Sequence, residues 1–322
     1  IRGPSPSASP RAAGVAGGLL GLATAGDGGG STRLPAGFCG LPGLKGTYGR
    51  IPKGPHAALG NLTAVSGCLT RSVRDIARYL DVTAGWDPRD PFSLPKVEGW
   101  EDNLGRRELA GLRVAVAPDL GAAVVRDEVA ALVVEHAEQL IADAGLRRVE
   151  VAVRPAEGSL EWAVGGVSGV LRVLGDRWPD CADQLTPQMR FGVEMSEKLF
   201  DLAMAVRIDE QRTENNERMA ALFDAADLVI AATNPDVAFA ADGRIPTEIA
   251  GVEVPLGNQG ALTIPSNFYG NPAISVPIGT VDGRPVGMQI LAPHFREDLL
   301  LDLALLVERE RPWPLVAPGV PT

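Results

Sequence analysis

Residues 26–33 read GDGGGSTR. Three contiguous glycines end on Ser31, with Asp27 before them and Arg33 two residues beyond the serine. Gly28, Gly29 and Gly30 permit backbone angles barred to other residues and leave their N–H groups uncovered. Consecutive uncovered N–H groups form a nest for negative charge. With Ser31 at the end of the glycine run, such a nest would lie beside its hydroxyl. That is the pairing of nucleophile and oxyanion hole that acyl transfer needs. Two other readings use the same letters. A plain tight turn would make Ser31 the N-cap of a following helix. A phosphate cradle fits less well. No lysine precedes Ser31 as a P-loop requires, and the glycines are contiguous rather than spaced as in a dinucleotide fingerprint.

Other chemistry is sparse. The chain has three histidines: His56 in a loop, His136 in a helical pattern and His294 before a terminal helix. None has an obvious acidic partner, so the base of a Ser–His–Asp triad is not visible. Cys39, Cys68 and Cys181 are odd in number and far apart, which suggests neither a disulfide framework nor a zinc site. No paired Cys/His or Asp/Glu spacing suggests a metal site. A net charge of −10 argues against a nucleic-acid or anionic-membrane partner, since both demand basic surface. No apolar stretch is long enough to span a bilayer, and residues 12–26 lack the charged start of a signal peptide. A reducing cytoplasm is the simplest home for three unpaired cysteines.

These residues must be held by a scaffold. The chain has 322 residues, 45% hydrophobic and 22% charged, enough for a substantial core. No low-complexity linker divides it, so residues 1–322 are expected to form a single domain. A short helix of small residues over 12–20 and an apolar run at 20–25 precede the glycine loop. Val73, Ile76, Ala77 and Leu80 fall at helical spacing within 71–85, ahead of Gly85. Residues 111–118 read as a strand, 126–144 as a helix ended by Gly145, and 147–153 as the next strand. That rhythm predicts an α/β fold with a mixed, largely parallel sheet covered by helices on both faces. Residues 193–225 read as mostly helical, 227–235 as a buried strand, 272–279 and 284–293 as a strand pair turning at Asp282-Gly283, and 298–310 as a terminal helix. Trp162, Trp178, Met189, Phe191 and Met195 suit either an apolar pocket or helix-core packing, with packing preferred.

The run GDGGGSTRLPAGFCGLPGLKGTYGRIP resembles the core motif of the amidase signature family of serine hydrolases. RSVRDIARYLDVTAGWDPRDPFSLP, LAGLRVAVAP and IPSNFYGNPAISVPIGTVDGRPVGMQILAPHFREDLLLDLALLVER are similar to its later segments, in the same order. The resemblance implies amide or ester hydrolysis by a Ser–cis-Ser–Lys triad without metal or cofactor. It makes Ser31 the nucleophile and Gly28, Gly29, Gly30 and Ser31 the oxyanion hole. Asp27 and Arg33 match positions that brace the loop, while Cys39 and Lys45 match structural ones. The middle triad serine falls on Ser7, 24 residues before Ser31. Here its surroundings are Ser5-Pro6-Ser7-Ala8-Ser9-Pro10-Arg11 where the family has a glycine-rich loop, and Gly26 replaces a usual threonine. The triad lysine is expected upstream of Ile1, because none of Lys45, Lys53, Lys96 or Lys198 matches its position. The resemblance thus implies a domain lacking its N-terminal part, with catalysis impaired. Its implied partner is a small-molecule amide, with a homodimer possible. A non-catalytic remnant that binds small amides is the alternative. The A subunit of a tRNA-dependent amidotransferase ranks third, because its characteristic arginine-bearing segment is not found in 190–225.

Overall fold

The computed structural model describes residues 9–54, 62–240, 245–255 and 257–319. Helix α1 (Ser9–Ala16) leads into strand β1 (Leu22–Asp27), whose side chains alternate exposed and buried, as an edge strand covered on one face should. The glycine turn follows and runs straight into helix α2 (Arg33–Cys39), which Gly40 closes in the left-handed conformation at φ 66°. Strands β2 (Gly43–Lys45) and β3 (Val65–Thr70), helix α3 (Val73–Thr83), strand β4 (Arg113–Val116), helix α4 (Asp127–Ala144) and strand β5 (Arg147–Arg148) come next. Helices α5 (Ser159–Leu174), α6 (Pro187–Leu199) and α7 (Leu202–Ala225) then lead to strand β6 (Leu228–Ala232). A two-stranded ribbon, β7 (Glu248–Ile249) and β8 (Val252–Glu253), precedes short helices α8 (Asn258–Ala261) and α9 (Ile264–Tyr269). The hairpin β9 (Ala273–Val281) and β10 (Arg284–Leu291) and helix α10 (Glu297–Glu310) end the order.

The main sheet has the strand order β1-β3-β2-β9-β10-β6-β4-β5. The expected mixed α/β sheet is present, but parallel pairing is confined to β4 with β5 and β6. The other described pairs are antiparallel, so the sheet is not largely parallel. The cause is local at the centre. Asp282 and Gly283 take positive φ angles of 51° and 69°, the signature of a tight hairpin turn, and this sets β9 against β10.

Neighbouring residues of β3 show how the layers form. Cys68 faces the main core with Ile76 and Leu80 of α3, Val133 and Leu140 of α4, and Leu300 of α10. Leu69 faces a smaller cluster with Val15 of α1 and Ala36 of α2. Successive strand side chains point to opposite faces, so helices cover both sides of the sheet. Helix α3 begins where the sequence suggests. Ser72 is its N-cap and accepts from Asp75 N–H. Helix α4 ends at Gly145, in the left-handed conformation at φ 64°. The stretch 193–225 is mostly helical, as expected, and is divided between two helices. The break at Phe200–Asp201 arises because Asp201 caps α7 by accepting from Met204 N–H at 2.7 Å.

A buried ion pair ties the loop after β2 to α10. Arg50 Nε lies 3.0 Å from Glu297 Oε1, and Thr47 N–H donates to the same oxygen at 2.8 Å. On the other face, α2 rests on β10 where two glycines meet. A Cβ on Gly287 would stand 2.7 Å from Gly37 Cα and 2.9 Å from Ser275 Oγ. Neither neighbour is the far end of a flexible side chain. Gly287→Ala therefore pushes α2 off the sheet, and chemical denaturation should show a loss of about 1–3 kcal/mol. Unchanged stability would show that the contact can relax.

Candidate active site

The glycine turn hangs between the end of β1 and the start of α2, and one ion pair closes it. Asp27 and Arg33 are both fully buried. Arg33 Nε donates to Asp27 Oδ2 and Nη2 to Oδ1, each at 3.0 Å, the two-pronged fit of guanidinium to carboxylate. The guanidinium reaches further acceptors as well. Nη2 reaches Asn267 Oδ1 at 2.7 Å and Thr263 O at 3.0 Å, and Nη1 reaches Gln289 Oε1 at 3.2 Å. Asn267 Nδ2 donates back to Asp27 O at 2.8 Å. Gln289 Nε2 donates to Ala232 O and Leu262 O. The network joins β1, α2, α9 and β10.

Asp27 also organises the backbone of the turn. Its Oδ1 accepts from Gly30 N–H at 2.7 Å, and its Oδ2 from Thr32 and Arg33 N–H at 3.4 Å each. The carbonyls are held as well. Gly28 O accepts from Trp162 Nε1 at 2.6 Å, Gly29 O from Thr263 Oγ1 at 2.7 Å, and Gly30 O from Leu34 N–H at 2.8 Å. Gly30 has φ +116°, and a Cβ there would stand 2.5 Å from Thr263 Oγ1, so the position requires glycine. Ser31 is half-buried, whereas Gly29, Gly30 and every residue from Thr32 to Phe38 are buried. Among the described residues no side chain is hydrogen-bonded to its hydroxyl.

Two expectations change here. The N-cap of α2 is Thr32, not Ser31, and it makes no side-chain cap bond. Ser31 is therefore free of the structural duty that the plain-turn reading assigned to it. The Gly30 N–H is turned inward to Asp27, because the buried carboxylate needs donors. Of the four N–H groups expected to form a nest, that of Gly30 is thus engaged within the turn. Ser7 and His56 lie outside the described residues.

The electrostatics follow from burial and pairing. Burial alone would raise the Asp27 carboxyl. The charge and hydrogen bonds of Arg33, with smaller contributions from Lys45 and Asn267, outweigh it and hold the group at about 2. Lys45 is fully buried, and Nζ donates to the main-chain carbonyls of Asn271 and Gly46. Burial and the charge of Arg33 push Lys45 down to about 7, against Asp27 and Glu297. Burial pushes the Cys39 thiol up to about 11, away from a reactive thiolate. His136 Nδ1 bonds its own helix at Leu132 O, and His294 Nε2 bonds Tyr269 O. Lys53 contacts Tyr48, Lys96 pairs with Glu98, and Lys198 is exposed on α6. Among the described residues no cluster of His, Cys, Asp or Glu could hold a metal, and no helix is long and apolar enough to cross a membrane.

Thr263, Asn267 and Gln289 touch the turn and were missed by motif reading. Gln289 carried a usable signal: it is an uncharged polar residue inside the apolar strand GMQIL, where burial demands a partner. Trp162 stood among the pocket-or-core candidates, but its bond to the turn is made only in space. The preference for helix-core packing fails for Phe191, which is 61% exposed, and for Met189 at 41%. A cavity of about 690 Å³ opens elsewhere, lined by Phe38, Leu41, Pro285 and Trp313 among others, and none of residues 27–33 borders it.

Asp27→Asn leaves the Arg33 guanidinium buried without a counter-charge. It should cost about 3–5 kcal/mol in denaturant titrations, and a loss below about 1 kcal/mol would refute the clamp. The carboxyl binds its proton less readily in the folded chain than at its ordinary 3.8. Asp27 thus stabilises the fold above that pH, and the contribution, on the order of 2 kcal/mol, is lost as pH falls through about 2. Melts across that interval should show this slope in the wild type and not in Asp27→Asn.

The family profile described as Amidase matches residues 2–301. An acylamidase of Rhodococcus erythropolis is 32% identical over 95% of this chain and 65% of its own length. The A subunit of the glutamyl-tRNA(Gln) amidotransferase of Rhodospirillum rubrum is 33% identical over 92% of this chain and 63% of its own. The chain therefore spans somewhat less than two thirds of the length of these relatives. Among solved structures, a bacterial aryl acylamidase of the amidase signature family superposes with a TM-score of 0.83 at 25% identity, covering 94% of this chain and 64% of that one. A 6-aminohexanoate cyclic dimer hydrolase solved with its substrate gives 0.80 at 28% identity, covering 96% and 68%.

Proposed function

The chain belongs to the amidase family, and from that premise we propose that it performs acyl transfer at a carboxamide with Ser31 as nucleophile. The observation that carries this reading is the exposure of the turn. Within residues 29–38, Ser31 is left half-open while its neighbours are buried. In the step, Ser31 Oγ bonds to the carboxamide carbon and the carbonyl electron pair moves onto oxygen. The N–H groups of Gly28, Gly29 and Ser31 receive that charge. The hydroxyl proton moves to Ser7 as Ser7 passes its own proton to the lysine that the family resemblance implies, and the relay run in reverse supplies the proton for the leaving nitrogen. The C–N bond then breaks, and the amine leaves with a proton. Water or another acceptor takes the acyl group from Ser31. Asp27 is not the base: both its oxygens are engaged, and it is held far below the range a proton acceptor needs near neutral pH.

Acylamidase and amidotransferase relatives match at 32% and 33% identity. Hydrolysis of a simple amide and release of ammonia from a carboxamide therefore stand level as uses of one acyl-enzyme. The sequence ranks the amidotransferase last, and the relatives give no ground for that order. A fluorophosphonate probe should label Ser31, either in the chain alone or with the segment of the related acylamidase that this chain does not span supplied in trans. The label should vanish in Ser31→Ala. No labelling under either condition would sink the acyl-transfer reading and leave a fold that at most binds amides. Comparing an aryl amide with glutamine as substrate separates the two enzymatic uses.

A further inference from the structure

We propose that Trp162 is a positioning residue: its indole sets the Gly28–Gly29 peptide and so aims the Gly29 N–H that receives charge during acyl transfer at Ser31. This rests on the acyl-transfer reading of the same site. Asp27 fixes the N–H groups of Gly30, Thr32 and Arg33, and Thr263 fixes the Gly29 carbonyl. Neither holds the peptide between Gly28 and Gly29. Among the described residues that peptide is held by Trp162, whose Nε1–H donates to Gly28 O at 2.6 Å. A trans peptide points its C=O and N–H in opposite directions. Drawing the Gly28 carbonyl toward α5 therefore turns the Gly29 N–H away from α5. The indole also lies flush on Gly29, so that a Cβ there would overlap its ring. The ring itself is placed by α5. Trp162 N–H bonds Gly158 O at 2.9 Å, and the adjacent buried Glu161 pairs with Arg207 of α7 at 2.6 Å. The α5–α7 excursion is thereby coupled to the donor geometry of the turn.

Trp162→Phe keeps an aromatic ring on Gly29 and removes the donor. In two-dimensional amide spectra, one indole N–H signal should disappear and the Gly29 amide signal should move. At a melting temperature close to that of the wild type, the rate of Ser31 labelling by fluorophosphonate should fall at least about tenfold, part of what loss of a whole oxyanion donor costs. Trp162→His, which retains a ring donor, should recover part of that rate; should the phenylalanine variant fold poorly, the histidine variant is compared with Trp162→Leu instead. An unmoved Gly29 signal, or equal labelling of wild type and Trp162→Phe, overturns the proposal. If the wild type is not labelled at all, the acyl-transfer reading fails, and the Gly29 signal still decides separately whether the indole holds the peptide.

Discussion

The buried pair of Asp27 and Arg33 is the constraint on which the rest of the site depends. A guanidinium and a carboxylate removed from water are stable only if every donor and acceptor finds a partner. Here the partners come from three places: the turn itself, Thr263 and Asn267 around α9, and Gln289 on β10. Meeting that demand fixes where β1 ends, where α2 starts and how the backbone between them must bend. The half-open position of Ser31 follows, because its neighbours on both sides are drawn inward to satisfy buried charge.

The same constraint accounts for several glycines. Gly30 must adopt φ +116° to bring its N–H to Asp27, and Thr263 leaves no room for a Cβ. Gly37 and Gly287 allow α2 to lie against β10, which keeps Arg33 at the depth where Gln289 can reach it. Arg50 with Glu297 repeats the device at the other side of β2, tying the early loop to the last helix. Both buried clusters join residues of the first fifty to residues beyond 260, so the two ends of the chain are interdependent for charge as well as for apolar packing.

Local pattern makes the regular elements legible. Helices α3, α4 and α10 announce themselves by apolar spacing and by caps such as Ser72 and Gly145, and the β9–β10 hairpin by Asp282-Gly283. Helix α5 escapes such reading, because three glycines interrupt its pattern. Strand β3 escapes it for a different reason. It is short and pairs with two distant partners, and such pairing leaves little local trace. The expectation of a largely parallel sheet draws on one strand–helix–strand unit, and the hairpin and its antiparallel neighbours outnumber that unit.

By itself the sequence determined the chemistry on offer: a serine after contiguous glycines, an acid and a base spaced to close the turn, and too few histidines or paired cysteines for other mechanisms. Those are properties of residue type and short-range spacing. How the peptides of the turn are held was decided only by tertiary structure. Asp27 takes the Gly30 donor, while Trp162 and Thr263, 134 and 234 residues from the carbonyls they bind, orient the peptides around it. Hydrogen bonds of that reach depend on how layers pack, and packing is a property of the whole buried surface rather than of any motif.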